Sequence, residues 1–129
     1  MKSLTLEAWT RFIQGGTRAR RAVEKITATQ CQRATVALIP EKQWQENVEQ
    51  MANFFRWKKY HTLDSRGADP DFPDLILLRG RRQVVAELKR DGESPTDGQA
   101  EWLRAFAAAG AETYVWHPAD IMQVAKVLR

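Results

Sequence analysis

Residues 72–89 read FPDLILLRGRRQVVAELK, and the placing of apolar and charged side chains along this stretch decides the fold. Leu75, Ile76, Leu77 and Leu78 form one β-type run, and Val84, Val85 and Ala86 form another. Between them, Arg79-Gly80-Arg81-Arg82 has the length and the glycine of a hairpin connection, either as a two-residue loop at Gly80 and Arg81 or as a four-residue one. In both cases opposed positions sum to 161, so Asp74 faces Glu87 across the ladder. Directly opposed side chains have Cβ atoms roughly 4.5–5.5 Å apart, and like charges placed there are destabilising unless something positive sits between them.

Strand side chains alternate faces, so Glu87 and Lys89 emerge on one side while Ala86 and Leu88 point to the other. Asp74, Glu87 and Lys89 are therefore expected to converge. A divalent cation would relieve the opposed carboxylates. Two hard oxygen donors, with the Leu88 backbone carbonyl between them, suit Mg²⁺, which takes few protein carboxylates and keeps waters for a substrate phosphate. Beside such an ion, the Lys89 ammonium would orient or help deprotonate an attacking water, while the metal stabilises charge developing on phosphorus.

Pro73-Asp74 followed by Glu87-Leu88-Lys89 resembles the PD-(D/E)xK nuclease signature. Upstream lie Tyr60-His61-Thr62 and Ser65-Arg66, and downstream Gln99 with Trp102-Leu103. With Phe72-Pro73-Asp74-Leu75, these resemble the VRR-NUC (virus-type replication-repair nuclease) family over roughly residues 41–129. The resemblance implies a restriction-endonuclease-like core and a metal-dependent DNA endonuclease of the stand-alone phage or bacterial type, using Mg²⁺ or Mn²⁺. It implies hydrolysis of phosphodiesters to 5′-phosphate and 3′-hydroxyl ends. It also implies branched or flapped DNA, such as Holliday junctions, as substrate in replication, recombination or repair, and a homodimer that places two sites on two strands. His61 and Ser65 correspond to the active-site or phosphate-binding region. Arg66 has a planar fork suited to phosphate, although a solvated loop arginine explains it equally well. Relatives carry glycine just before Phe-Pro-Asp, where this chain has Asp71. Either Asp71 adopts the left-handed geometry that Asp sometimes visits, or the loop differs here.

The chain of 129 residues is long enough for one core, and 43% hydrophobic with 28% charged residues favours neither disorder nor a membrane protein. No run has the apolar length of a transmembrane helix or signal peptide, so a cytoplasmic protein is expected. Cys31 is the only cysteine and no Cys/His cluster has zinc-site spacing. The net charge of +4 is localised: residues 1–39 hold seven basic and two acidic residues, a balance of +5, against −1 for the remainder. The chain is thus expected to be one domain with an extension: a helical basic N-terminal extension over 1–39 and the nuclease domain over 40–129. In the extension, Leu4, Leu6, Trp9, Phe12 and Ile13 give a helical pattern ended by Gly15-Gly16, and Thr17 caps a second helix. This is either an arm that grips nucleic-acid backbone or a partner subunit, or a solvated helix.

A helix starting near Pro40 runs through EKQWQENVEQMANFFRW with Trp44, Val48, Met51 and Phe55 on one face. Glu41 lies three residues before Trp44, near the buried stripe, whereas Glu46 is about 200° from Trp44. Glu41 is thus the better site candidate, and Glu41-Lys42-x-Trp44-Gln45 resembles the helix motif whose glutamate completes the family's metal cluster, directly or through water. An ordinary acidic residue favoured by the positive helix end explains it as well. Arg56 to Leu63 reads as the first strand, and Asp64 to Pro70 as a turn-rich loop. After Lys89, Thr96-x-x-Gln99 has capping-box spacing, with Gln99, Trp102, Leu103 and Phe106 on one helix face. Gln99 has two explanations: the cap itself, or, as the resemblance implies, an amide that orders Lys89 or a water. Glu112 to Trp116 is a strand, and Pro118 starts a closing helix through Ile121, Val124, Val127 and Leu128. The order α-β-β-β-α-β-α is that of an α/β fold, a mixed sheet flanked by helices. A rival reading is a non-catalytic nucleic-acid-binding or assembly protein that retains the nuclease fold; against it, a purely structural hairpin gains nothing from two buried carboxylates.

Overall fold

The computed structural model describes residues 39–62 and 69–129. The basic extension, Ile39 excepted, and Ser65 and Arg66 lie outside the described residues; Ile39 itself packs on the core. In chain order the elements are helix α1 (Glu41–Phe54), strands β1 (Lys58–His61), β2 (Leu75–Arg79) and β3 (Arg82–Leu88), helix α2 (Asp97–Ala108), strand β4 (Glu112–Trp116), a 3-10 turn (Pro118–Asp120) and helix α3 (Ile121–Leu128). This is the element order that the sequence predicts.

The four strands lie in the order β1-β2-β3-β4; β1, β2 and β3 pair antiparallel, and β3 and β4 pair parallel. The fold is therefore α/β with a mixed sheet. Leu75, Leu77, Val84, Ala86, Leu88 and Trp116 line one face and pack with Trp44, Val48 and Met51 of α1 and Ile121, Val124 and Leu128 of α3. Helix α2 lies on the opposite face, where Gln99 meets Glu87 and Leu103 is buried. No helix among the described residues is long and apolar enough to cross a membrane.

The hairpin has the expected register, with Leu75 opposite Ala86 and Arg79 opposite Arg82. Its loop is the two-residue alternative, Gly80 and Arg81, and Gly80 at φ +59° occupies the first central position, where a II′ turn calls for glycine. Register is held from the other side too: a slip of one residue would turn the buried leucines of β2 out to the opposite face.

Helix α1 begins after Pro40, as expected, but stops at Phe54. The expected strand over Arg56–Leu63 is shortened to Lys58–His61 for a related reason. Arg56 takes a left-handed conformation, φ 62°, at a cost of roughly 1–2 kcal/mol. That kink turns Trp57 into the core, where its indole N–H donates to the Leu128 carbonyl at 2.8 Å. The guanidinium groups of Arg79 and Arg82 lie over the Trp57 ring, 4.5 and 4.9 Å from its centroid. Arg79 also donates to the Phe55, Leu128 and Arg129 carbonyls, so one side chain ties together the C-terminal ends of α1 and α3. Arg82 holds Glu112 by two 2.8 Å bonds. Of the residues expected on α3's inner face, Val127 is only partly buried and Ala125 takes its place.

Trp57→Ala is expected to lower the unfolding free energy by about 3–5 kcal/mol, read from the urea midpoint. Phe54→Ala, removing a ring that is 74% exposed, serves as the control and is expected to shift it by less than ~0.5 kcal/mol.

Candidate active site

The ladder of β2 and β3 continues one step past Leu75 and Ala86, so Asp74 and Glu87 face each other at the open end of the hairpin. They are tied reciprocally. The Asp74 amide donates to Glu87 Oε2 at 3.3 Å, and the Leu88 amide donates to Asp74 Oδ2 at 2.9 Å. Lys89 emerges on the same face as Glu87, and its Nζ lies 3.3 Å from Glu87 Oε1. From α2, Gln99 Nε2 donates to that same oxygen at 2.7 Å. Four of the residues singled out from the sequence thus meet at one place.

Gln99 makes the expected cap, and its remaining amide atom reaches Glu87 rather than Lys89. Its Oε1 accepts from the Thr96 amide at 2.9 Å and its own amide donates to Thr96 Oγ1 at 3.1 Å, which completes the capping box. The remaining Nε2 is free to reach Glu87. The helix carrying it is docked by Phe72, whose ring meets Trp102 edge-on at 5.1 Å and Phe106 at 5.9 Å. Because Phe72 is two residues from Asp74, the same aromatic contact positions both α2 and the start of β2.

Asp71, at the position where the resemblance implies glycine, is not left-handed; among the described residues Arg56 is the only non-glycine with positive φ. Its carboxylate instead accepts from Thr96 Oγ1 at 2.9 Å and lies against Gly98, where a Cβ would collide with it. Asp71 is therefore part of the α2 cap rather than a further ligand beside Glu87. A recess of about 360 Å³ lies next to it, lined by Asp69, Asp71, Gly98, Glu101, Trp102 and Ala105. None of the four converging residues lines it, and its carboxylates would repel a phosphate.

Glu87 is 1% exposed. Burial, the Asp74 charge and a hydrogen bond with the Asp74 side chain push its carboxyl up to about 7, against the opposing pull of the Lys89 ammonium. One lysine thus fails to neutralise two adjacent carboxylates. A divalent cation fits this donor set, since it would replace a like-charge repulsion by two attractions. Among the described residues no group of three or more His, Cys, Asp or Glu side chains able to hold a metal occurs; the opposed pair by itself is a number of carboxylates that suits Mg²⁺.

Glu41 is exposed in the first turn of α1. It does not join Asp74 and Glu87 in a three-carboxylate group, but it lies at their end of the sheet. Trp44 donates to the Trp116 carbonyl at 3.1 Å, and that carbonyl also accepts from the Lys89 amide at 3.0 Å. His61 does not join the cluster either. It lies on the core face of β1, with Nδ1 3.0 Å from Gln45 Nε2 and 3.7 Å from Glu49 Oε1. Glu49 also pairs with Lys59 at 2.9 Å. Glu49, and the contact of the motif residue Gln45 with His61, are features of this region that the sequence did not single out. The signal was present: Glu41, Gln45 and Glu49 recur every four residues, forming a polar stripe along α1.

A carboxyl whose folded-state pKa lies above its unfolded value binds its proton more tightly when folded. Glu87 therefore costs stability above pH 7, and that cost fades as pH falls toward the ordinary value of 4.5. Without divalent metal, the Tm is expected to be higher at pH 6 than at pH 8. In Glu87→Gln the difference is expected to shrink, as read by thermal melts at both pH values.

The VRR-NUC domain model matches residues 8–120 of this chain. A solved structure described as a VRR_NUC domain protein is 24% identical, covering 66% of this chain and 87% of that one at a TM-score of 0.48. Comparison with curated proteins finds no match. With the family model spanning most of its length, the chain belongs to the VRR-NUC domain family.

Proposed function

We propose that this chain is a Mg²⁺- or Mn²⁺-dependent DNA endonuclease that hydrolyses phosphodiesters in branched or flapped substrates. The observation that carries this reading is Glu87, buried opposite Asp74 with Lys89 and Gln99 on one of its oxygens. Asp74 and Glu87, with the Leu88 carbonyl and Glu41 as further donors, would hold the cation, which would supply charge stabilisation at the phosphorus under attack. Lys89 orients the attacking water. Its oxygen bonds to phosphorus, the bond to the 3′ oxygen breaks, and that oxygen ends protonated, leaving 5′-phosphate and 3′-hydroxyl ends. Gln99 acts through Glu87: its 2.7 Å bond fixes the carboxylate's orientation. Ser65 and Arg66 belong to the substrate-contacting region in this reading, whereas His61, on the core face of β1 against Gln45, lies behind it. Two copies of the chain would present two such sites to two strands.

Purified protein is expected to cut flapped or four-way DNA with Mg²⁺ or Mn²⁺ and to leave it intact in EDTA. Asp74→Ala is expected to reduce cleavage at least ~100-fold, and Gln99→Ala roughly 10–100-fold, since a residue that orients a metal ligand has an effect of that size. A gel assay over single-stranded, duplex, flapped and four-way substrates reads both. Undiminished cutting by Asp74→Ala would remove the mechanism.

A further inference from the structure

The sheet face that carries Glu87 is only half covered. Helix α2 lies over β3 and β4, whereas the β1–β2 half of that face is open: Tyr60 is 63% and Leu78 45% exposed, Lys58 is exposed and Ile76 half-buried. The register orders these residues in rows. Lys58 is opposite Leu78, Tyr60 is opposite Ile76, and the Thr62 amide bonds the Asp74 carbonyl at 3.0 Å. Rows on one face repeat every ~7 Å along a strand. Tyr60 is therefore the diagonal neighbour of Asp74, at ~7–8 Å, and Lys58 is one row beyond. Past Lys58 come Arg56 and the hairpin-tip Arg81, both exposed. The open strip thus runs from the carboxylate pair, across an aromatic ring, to a basic rim.

We infer that this strip is the track of the substrate strand, with an unpaired nucleotide beside the scissile phosphate stacked on Tyr60 and a phosphate further along met by Lys58. The inference rests on the proposed nuclease reading. An exposed ring accepts any base by its π-face, but only a base freed from its own duplex stack can reach it. Charge selects this occupant over two others. A second copy pairing along the β1 edge would bring Lys58 and Lys59 of both copies together. The chain's own first 39 residues carry +5 and would meet a rim that is already basic.

The test reads binding of full-length protein by fluorescence anisotropy in EDTA, using a labelled single-stranded oligonucleotide, a flapped duplex and a fully paired duplex. Tyr60→Ala is expected to weaken binding of the single-stranded and flapped probes about 10-fold, to leave the paired duplex unaffected, and to be rescued by Tyr60→Phe. Lys58→Ala is expected to reduce the slope of log K against log salt on the single strand by about 0.7. Unchanged affinity in Tyr60→Ala overturns the inference, as does failure of the wild type to bind any single strand. A changed mass in solution for Tyr60→Ala would assign the strip to a second copy, and a clear drop in its Tm would assign it to the chain's own segment; either overturns the inference. Because no metal is present, a protein that binds as expected but never cuts fails the hydrolytic reading alone. One that cuts while Tyr60→Ala binds normally fails only this one.

Discussion

The opposition of Asp74 and Glu87 across one rung of the hairpin is the constraint on which the rest depends. A two-residue loop closed by Gly80 sets the rung, and four wholly buried side chains, Leu75, Leu77, Val84 and Ala86, hold it from the other face. Water is excluded from Glu87, so the repulsion between the carboxylates is felt at low effective dielectric. Lys89 and Gln99 offset part of that cost. The remaining tension is one that a divalent cation, held there as proposed, would relieve.

The sheet separates two kinds of work. On the core face, Trp44 and Trp57 send their indole N–H groups to main-chain carbonyls on distant parts of the chain, and Arg79 gathers the ends of α1 and α3. These contacts fix the helices rigidly behind the sheet. On the other face, α2 covers half of the surface and contributes one amide to Glu87, leaving the β1–β2 half to solvent. The carboxylate pair thus sits at the junction of a covered and an open half-face, with a dry side at Glu87 and a wet side toward β1 and β2.

The hairpin, its register and the convergence of Asp74, Glu87 and Lys89 were legible because each follows from short-range rules of alternation and loop length, whereas Gln99 was legible from local spacing only as a cap and its contact with Glu87 depends on how α2 docks. The start of β1 was not legible. Arg56 gives no sign in its own chemistry that it will adopt φ 62°, the kink that goes with Trp57 entering the core. Asp71 was hard for the same reason, because its partner Thr96 is 25 residues away and Gly98 makes room for it only once α2 is docked. Glu41, Gln45 and Glu49 lay in plain periodicity, yet the apolar stripe beside them drew the reading toward the core.

The carboxamide of Gln99 closes the first turn of α2 with one atom and steadies Glu87 with the other. Fraying of that single turn, the least protected part of any helix, would release the glutamate while the tryptophan-rich interior is still intact. Warmed or mildly denatured protein should thus lose whatever Glu87 does well before it loses its shape, so that residual helicity is a poor gauge of competence.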